Sequence, residues 1–157
     1  MRVLLPQTQD FNIRYVQEKD YPYVFEMIKR VITKAFPNKE INEDKINNLF
    51  DKALDNDEFT GIILVDSEDI PKGYILGLTY ELYFDPEKVA TCLSIWVEED
   101  CRGHSLDMVR AFQAWAKYKG ATTAIMSEYE GLSPKGLKKM FSMFDFKLKE
   151  NQYWKEL

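Results

Sequence analysis

Residues 95–107 read Ile-Trp-Val-Glu-Glu-Asp-Cys-Arg-Gly-His-Ser-Leu-Asp, an apolar strand end, a short polar loop and the start of an amphipathic helix. A loop of this kind suits an anion. Unpaired N–H groups and the positive end of a helix dipole attract negative charge, and small residues such as Gly103 let the backbone come close. Arg102-Gly103 alone is a modest signal, since any strand-to-helix turn can contain it. Ser105 is suited to cap the helix while offering an N–H to a phosphate. Asp107 works the other way: the dipole favours a carboxylate there by roughly 0.3–1 kcal/mol, but the same charge repels a phosphate. His104, the only histidine, is read as an exposed loop residue. With no second histidine and no cysteine pair at ligand spacing, no metal site is expected.

Glu81 is the second chemically notable residue. An acid inside the otherwise apolar run Tyr80-Glu81-Leu82-Tyr83-Phe84 has to face either solvent, as an exposed sheet residue, or a site. Ser94 and Cys92 are expected to share one face of the strand that ends in Ile95-Trp96-Val97, either as plain sheet residues or as groups beside a reaction.

The elements that hold these residues follow from periodicity. Phe11 to Val16 alternates as a strand, and Asp20 is expected to cap a helix with Val24, Met27, Ile28, Val31, Ile32 and Ala35 at helical spacing, ended by Pro37. A more polar helix runs from about Asn42 to Leu54. From Thr60 the pattern becomes extended, with strands over Gly61–Val65, Gly73–Phe84 and Val89–Val97 separated by short turns, which implies an antiparallel meander. A helix over Ser105–Lys119 buries Leu106, Val109, Phe112, Trp115 and Ala116 and stops at Gly120. Then come a strand at Thr122–Met126, a helix at Pro134–Met143 and a last strand at Phe146–Trp154. The order β-α-α-β-β-β-α-β-α-β predicts a mixed α/β (α+β) fold whose sheet is mostly antiparallel.

Composition narrows the function classes. The 157 residues, 45% hydrophobic and 30% charged, suit a single domain over residues 1–157. No apolar run approaches the roughly 20 residues of a membrane span, and the first ten residues lack the charged and apolar regions of a signal peptide. With only Cys92 and Cys101, a reducing cytoplasmic setting is expected, without membrane association. A net charge of -5 argues against a nucleic-acid partner. Lys135, Lys138, Lys139, Lys147, Lys149 and Lys155 near the C-terminus are read as a solvated helix face and a protected edge strand.

This order of elements, from Phe11 onward, resembles the GNAT superfamily of N-acetyltransferases. Ile95 to Asp107 is similar to its acyl-CoA signature, an aliphatic-x-Val strand end followed by Arg-Gly-x-Gly-x-Gly/Ala, with Ser105 and Asp107 where the family has small residues. The resemblance implies acetyl-CoA as co-substrate, its pantetheine along Ile95, Trp96 and Val97 and its pyrophosphate over Arg102, Gly103, His104, Ser105 and Leu106. It implies direct acetyl transfer to a primary amine of a small molecule or protein. Glu81 is then the candidate base, and Ser94 or a water is the candidate to assist the departing thiolate, which otherwise leaves unassisted. Tyr21, Tyr23, Phe25, Tyr80, Tyr83 and Phe84 are candidates for an acceptor groove or are simply core and sheet aromatics. Phe141 stands where many members carry the proton-donating tyrosine, Asp145 where they carry glycine, and Pro134 where they carry a cofactor-contacting asparagine. The alternative implied by these departures is an inactive member with a structural or binding role, for example in a bacteriophage particle. A homo-oligomer or an assembly partner stays open.

Overall fold

The computed structural model describes residues 3–5, 7, 10–127 and 134–157. Much of the N-terminal run weighed against a signal peptide, and the side chain of Pro134, lie outside them. The chain forms β1 (Asn12–Tyr15), α1 (Tyr21–Ala35), α2 (Glu43–Asp55), β2 (Phe59–Val65), β3 (Pro71–Leu82), β4 (Asp85–Val97), α3 (Ser105–Tyr118), β5 (Thr123–Ile125) and α4 (Pro134–Met143), with 3₁₀ turns at Glu18–Asp20 and Glu99–His104. The sheet order is β1-β2-β3-β4-β5, antiparallel through β4 and parallel between β4 and β5. The expected mixed, mostly antiparallel architecture is therefore present.

Local chemistry sets most boundaries. The Asn42 side chain accepts the Lys45 N–H at 3.0 Å and so starts α2. At the end of α3, Gly120 takes φ 79°, while Gly120 N–H donates to Lys117 and Ala121 N–H to Ala116. That is the left-handed helix stop for which glycine is best suited. The same geometry ends α4 at Asp145, with φ 58° and N–H donation from Asp145 to Ser142 and from Phe146 to Phe141. An aspartate thus does there what glycine does with less strain.

Two expectations are corrected. Asp20 precedes α1 but its side chain makes no cap bond to it. The carboxylate, almost fully buried, instead accepts from Arg14 Nη1 at 2.7 Å and Nη2 at 3.0 Å and from the Gln17 N–H at 2.8 Å. A charge-assisted two-pronged bond outcompetes a cap. The strand expected over Phe146–Trp154 does not form, and Leu148, Tyr153 and Trp154 are exposed. Alternation gives a strand only when an edge accepts it, and here the segment instead leans on the α1–α2 corner through Trp154 on Phe36 and Lys39 with Glu156.

Both sheet faces are covered, which explains why Ile62-Ile63-Leu64-Val65 is apolar without interruption. Ile13, Ile62, Leu64, Ile75, Cys92 and Val97 pack against Met108, Phe112 and Trp115 of α3. Ile63, Val65, Tyr74, Leu76 and Trp96 pack against α1 and α2 through Val24, Met27, Ile28 and Phe50. Gly77 lets α3 settle on the sheet: a Cβ there would lie 2.8 Å from Phe112 Cε2 and 3.2 Å from the Thr91 carbonyl oxygen.

Candidate active site

The site begins where two strands part. β5 pairs with β4 only at Val89, Ala90 and Thr91, so from Cys92 to Val97 the outer edge of β4 has no strand beside it among the described residues. Backbone N–H and C=O groups along such an edge are available to an extended ligand. A bulge lies at the same place. Leu76 pairs with Ser94 but Gly77 pairs with Cys92, leaving Leu93 as an extra residue. One extra residue inverts the faces.

The expectation that Cys92 and Ser94 share a face is therefore corrected. Cys92 joins the α3 cluster, whereas Ser94 Oγ lies 2.6 Å from the hydroxyl of Tyr74, which belongs to the α1–α2 cluster. Burial pushes the Cys92 thiol up to about 12, so it stays neutral and unreactive. Tyr74 is fully buried and is likewise pushed well above the usual phenol range. Beyond the bulge, Ile95 and Val97 face α3 and Trp96 faces α1. Lys34 and Arg102 lie over the Trp96 ring at 4.9 and 5.8 Å, and Arg30 pairs with Glu98. A depression of about 480 Å³ lined by Arg30, Lys34, Trp96, Glu98, Glu99 and Asp100 opens at this end of β4.

Glu81 is not brought to the same place. It is exposed, opposite Lys88 near the tip of the β3–β4 hairpin, about 17 Å along β3 from the level of Ser94 at the usual rise per residue. Tyr83 and Phe84, in edge contact at that tip, are exposed, whereas Tyr21 packs on Phe25 and Phe50 at the start of α1.

The polar loop is more closed than a loop of free amides. Residues Glu99–His104 form a 3₁₀ turn running directly into α3; Cys101 N–H donates to Glu98 and Ser105 N–H to Arg102. Ser105 is the first residue of the helix and not its cap, a position held by His104 without a side-chain bond. The turn preceding the helix supplies the capping carbonyls and removes the need for a side chain. His104 is not an exposed loop residue either. It is half-buried, its ring centroid is 4.3 Å from that of Phe11, and its Nδ1 lies 3.5 Å from Asp107. Asp107 also accepts from Arg110 Nη1 at 2.9 Å, so its charge is partly matched. Leu106 is half-buried beside it. A Cβ built on Gly103 meets no heavy atom within 4 Å, so nothing inside the chain requires glycine there. On α4, the Phe141 ring lies 5.6 Å from that of Phe146.

Sequence reasoning passed over Arg110 and Tyr74. Arg110 carries a readable signal, an opposite charge three residues from Asp107 on a helix. Tyr74 carries none, because only the register across β3 and β4 puts its hydroxyl on Ser94.

No family model matches the chain, and no curated protein matches it. Among solved structures, a Trypanosoma brucei acetyltransferase superposes with a TM-score of 0.71 at 15% identity, over 94% of this chain and 100% of that one. AAC(6')-Iy, in complex with the bisubstrate analogue CoA-S-monomethyl-acetylneamine, gives 0.75 at 16% identity over 95% and 99%. Glucosamine-6-phosphate N-acetyltransferase from Arabidopsis thaliana gives 0.72 at 14% identity over 94% and 99%. The chain has the GNAT fold.

Proposed function

We propose that this protein is an acetyl-CoA-dependent N-acetyltransferase acting on a primary amine. The observation that carries the reading is the outer edge of β4 from Cys92 to Val97, which no strand covers among the described residues and which runs from a bulge to a helix start. The similarity to AAC(6')-Iy, whose structure holds a CoA conjugate, and to glucosamine-6-phosphate N-acetyltransferase supports it. The residues present are compatible with the cofactor: the backbone of Ile95, Trp96 and Val97 would hold an extended pantetheine. Arg102, Gly103, His104, Ser105 and Leu106 would hold its pyrophosphate, with open space over Gly103 for the approach. When bound, acetyl-CoA supplies a thioester whose acyl carbon an amine can take, leaving a thiolate. Ser94, half-buried beside the bulge, offers its hydroxyl to that sulfur, a role Phe141 has no proton to perform. Glu81 serves as base only for an acceptor lying along β3 toward the hairpin; otherwise the amine's proton passes to water. No helix among the described residues is long and apolar enough to cross a membrane, and the acceptor is a small molecule or a protein met in solution.

A second reading, a GNAT fold kept for binding without turnover, is favoured by one observation: the Ser105 N–H is already given to Arg102. Release of CoA thiol from acetyl-CoA, measured across a panel of aminosugars, polyamines and peptides, decides between them. Amine-dependent release supports the enzyme; CoA binding with no release from any amine supports the second reading.

A further inference from the structure

The pair Tyr74–Ser94 contains two hydroxyls 2.6 Å apart, either of which has a proton to give. Their surroundings break the tie. Tyr74 is fully buried among Val24, Met27, Ile28, Leu76 and Trp96, and among the described residues Ser94 Oγ is the acceptor in reach of its phenol. Were Ser94 the donor, the phenol proton would be left in an apolar cluster without an acceptor, the costly arrangement for a buried donor. With Tyr74 as donor, both hydroxyls are served, provided that the Ser94 proton finds an acceptor elsewhere. Ser94 is only half-buried, and it sits beside the bulge at which β4 loses its outer neighbour. Burial also keeps Tyr74 protonated throughout the working range, so the direction of donation does not change with pH.

We infer that Tyr74 is a positioning residue that, by donating to Ser94 Oγ, turns the Ser94 proton toward the open edge of β4, where it serves as a hydrogen-bond donor to the sulfur of bound CoA. The inference rests on the acetyl-CoA reading above. It also gives that reading a donor in a chain with phenylalanine at 141. No covalent bond to the protein forms or breaks: Tyr74 keeps its proton, and Ser94 stabilises negative charge on sulfur. The chain of two hydroxyls strengthens the outward bond, because a hydroxyl that accepts a hydrogen bond donates a stronger one.

The test uses CoA itself and needs no turnover. The thiol of bound CoA is titrated by the ultraviolet absorbance of its thiolate, in complexes with the parent, Tyr74→Phe, Ser94→Ala and the double variant, each at saturating CoA. The parent complex should ionise its thiol about tenfold more readily than the Tyr74→Phe complex, about one pH unit lower. In the Ser94→Ala background Tyr74→Phe should change nothing further, Ser94→Thr should restore the parent titration, and affinity for desulfo-CoA should be equal throughout. Fluorotyrosine at position 74, a stronger donor of nearly the same size, should move the titration opposite to phenylalanine and keeps the test available if Tyr74→Phe does not fold. Bound CoA with the same titration in parent and Tyr74→Phe, or an equal displacement by Tyr74→Phe with and without Ser94, overturns the role of Tyr74 and leaves cofactor binding standing. Failure of the parent to bind CoA at millimolar concentration overturns both.

Discussion

Replacing Asp107 with Asn should tighten CoA binding and loosen the free protein. The carboxylate lies at the start of α3, bonded to Arg110 and near His104. For a pyrophosphate charge roughly 6 Å away, an effective dielectric of 20 gives a repulsion of about 2.8 kcal/mol. Arg110 is further along the helix, at roughly 9 Å from that charge, and attracts it by about 1.8 kcal/mol. Simple screening over a Debye length of about 8 Å at 0.15 M salt reduces the two to about 1.3 and about 0.6 kcal/mol. Asp107→Asn should then bind CoA up to about tenfold more tightly, and Arg110→Met about threefold more weakly. At 0.01 M salt, where the Debye length is about 30 Å, the Asp107→Asn gain should grow to roughly fiftyfold. Without ligand the same variant loses a helix ion pair and a dipole contact, about 1 kcal/mol together, and its melting temperature should fall by roughly 2–4 °C. Calorimetric titrations at the two salt concentrations measure the first effect and thermal unfolding the second. An Asp107→Asn variant that melts lower yet binds CoA no more tightly at low salt would refute a pyrophosphate near this carboxylate.

Three further outcomes concern the scaffold. Arg14→Met strips the Asp20 carboxylate of its two-pronged donor and should cost about 3 kcal/mol in urea unfolding, with Arg14→Lys, which keeps the charge, losing distinctly less; equal losses would show that the retained charge contributes nothing without the two-pronged geometry. Asp145→Gly should raise stability by roughly 1 kcal/mol, because the left-handed φ of 58° suits glycine better, and an unchanged or lower melting temperature would count against strain at that helix stop. Hydrogen bonds from Lys19 and Arg14 hold the Asp69 carboxyl below its usual range. Its stabilisation is thus fully present above about pH 4 and lost as pH falls through the lowered folded value. The melting difference between the parent and Asp69→Asn should shrink on acidification; a difference that does not change as pH falls would contradict the ion-pair origin.

The strand and helix order was legible because both periodicities were strong and the turns carried their own chemistry. Gly61 to Val65 and the α3 stripe are examples, and Gly120 stopped its helix where expected. What stayed hidden depended on partners distant in sequence. Asp20 had the right residue type and place for a cap, but Arg14 reached it from β1. The tail from Phe146 had the alternation of a strand without an edge to join. Leu93 is an ordinary leucine in an apolar run, so nothing announced the bulge that separates Cys92 from Ser94. The anion loop was recognisable by residue type, yet its hydrogen bonding, with Ser105 donating to Arg102, is a property of the 3₁₀ turn that no single residue encodes.

Acetyl-CoA binding is the premise on which the functional account stands, and the melting temperature tests it directly. A ligand present at about 100 times its dissociation constant stabilises by about 2.7 kcal/mol, which for a chain of 157 residues corresponds to a rise of roughly 5–10 °C. Millimolar acetyl-CoA should produce that rise. An unchanged melting temperature at that concentration would contradict it.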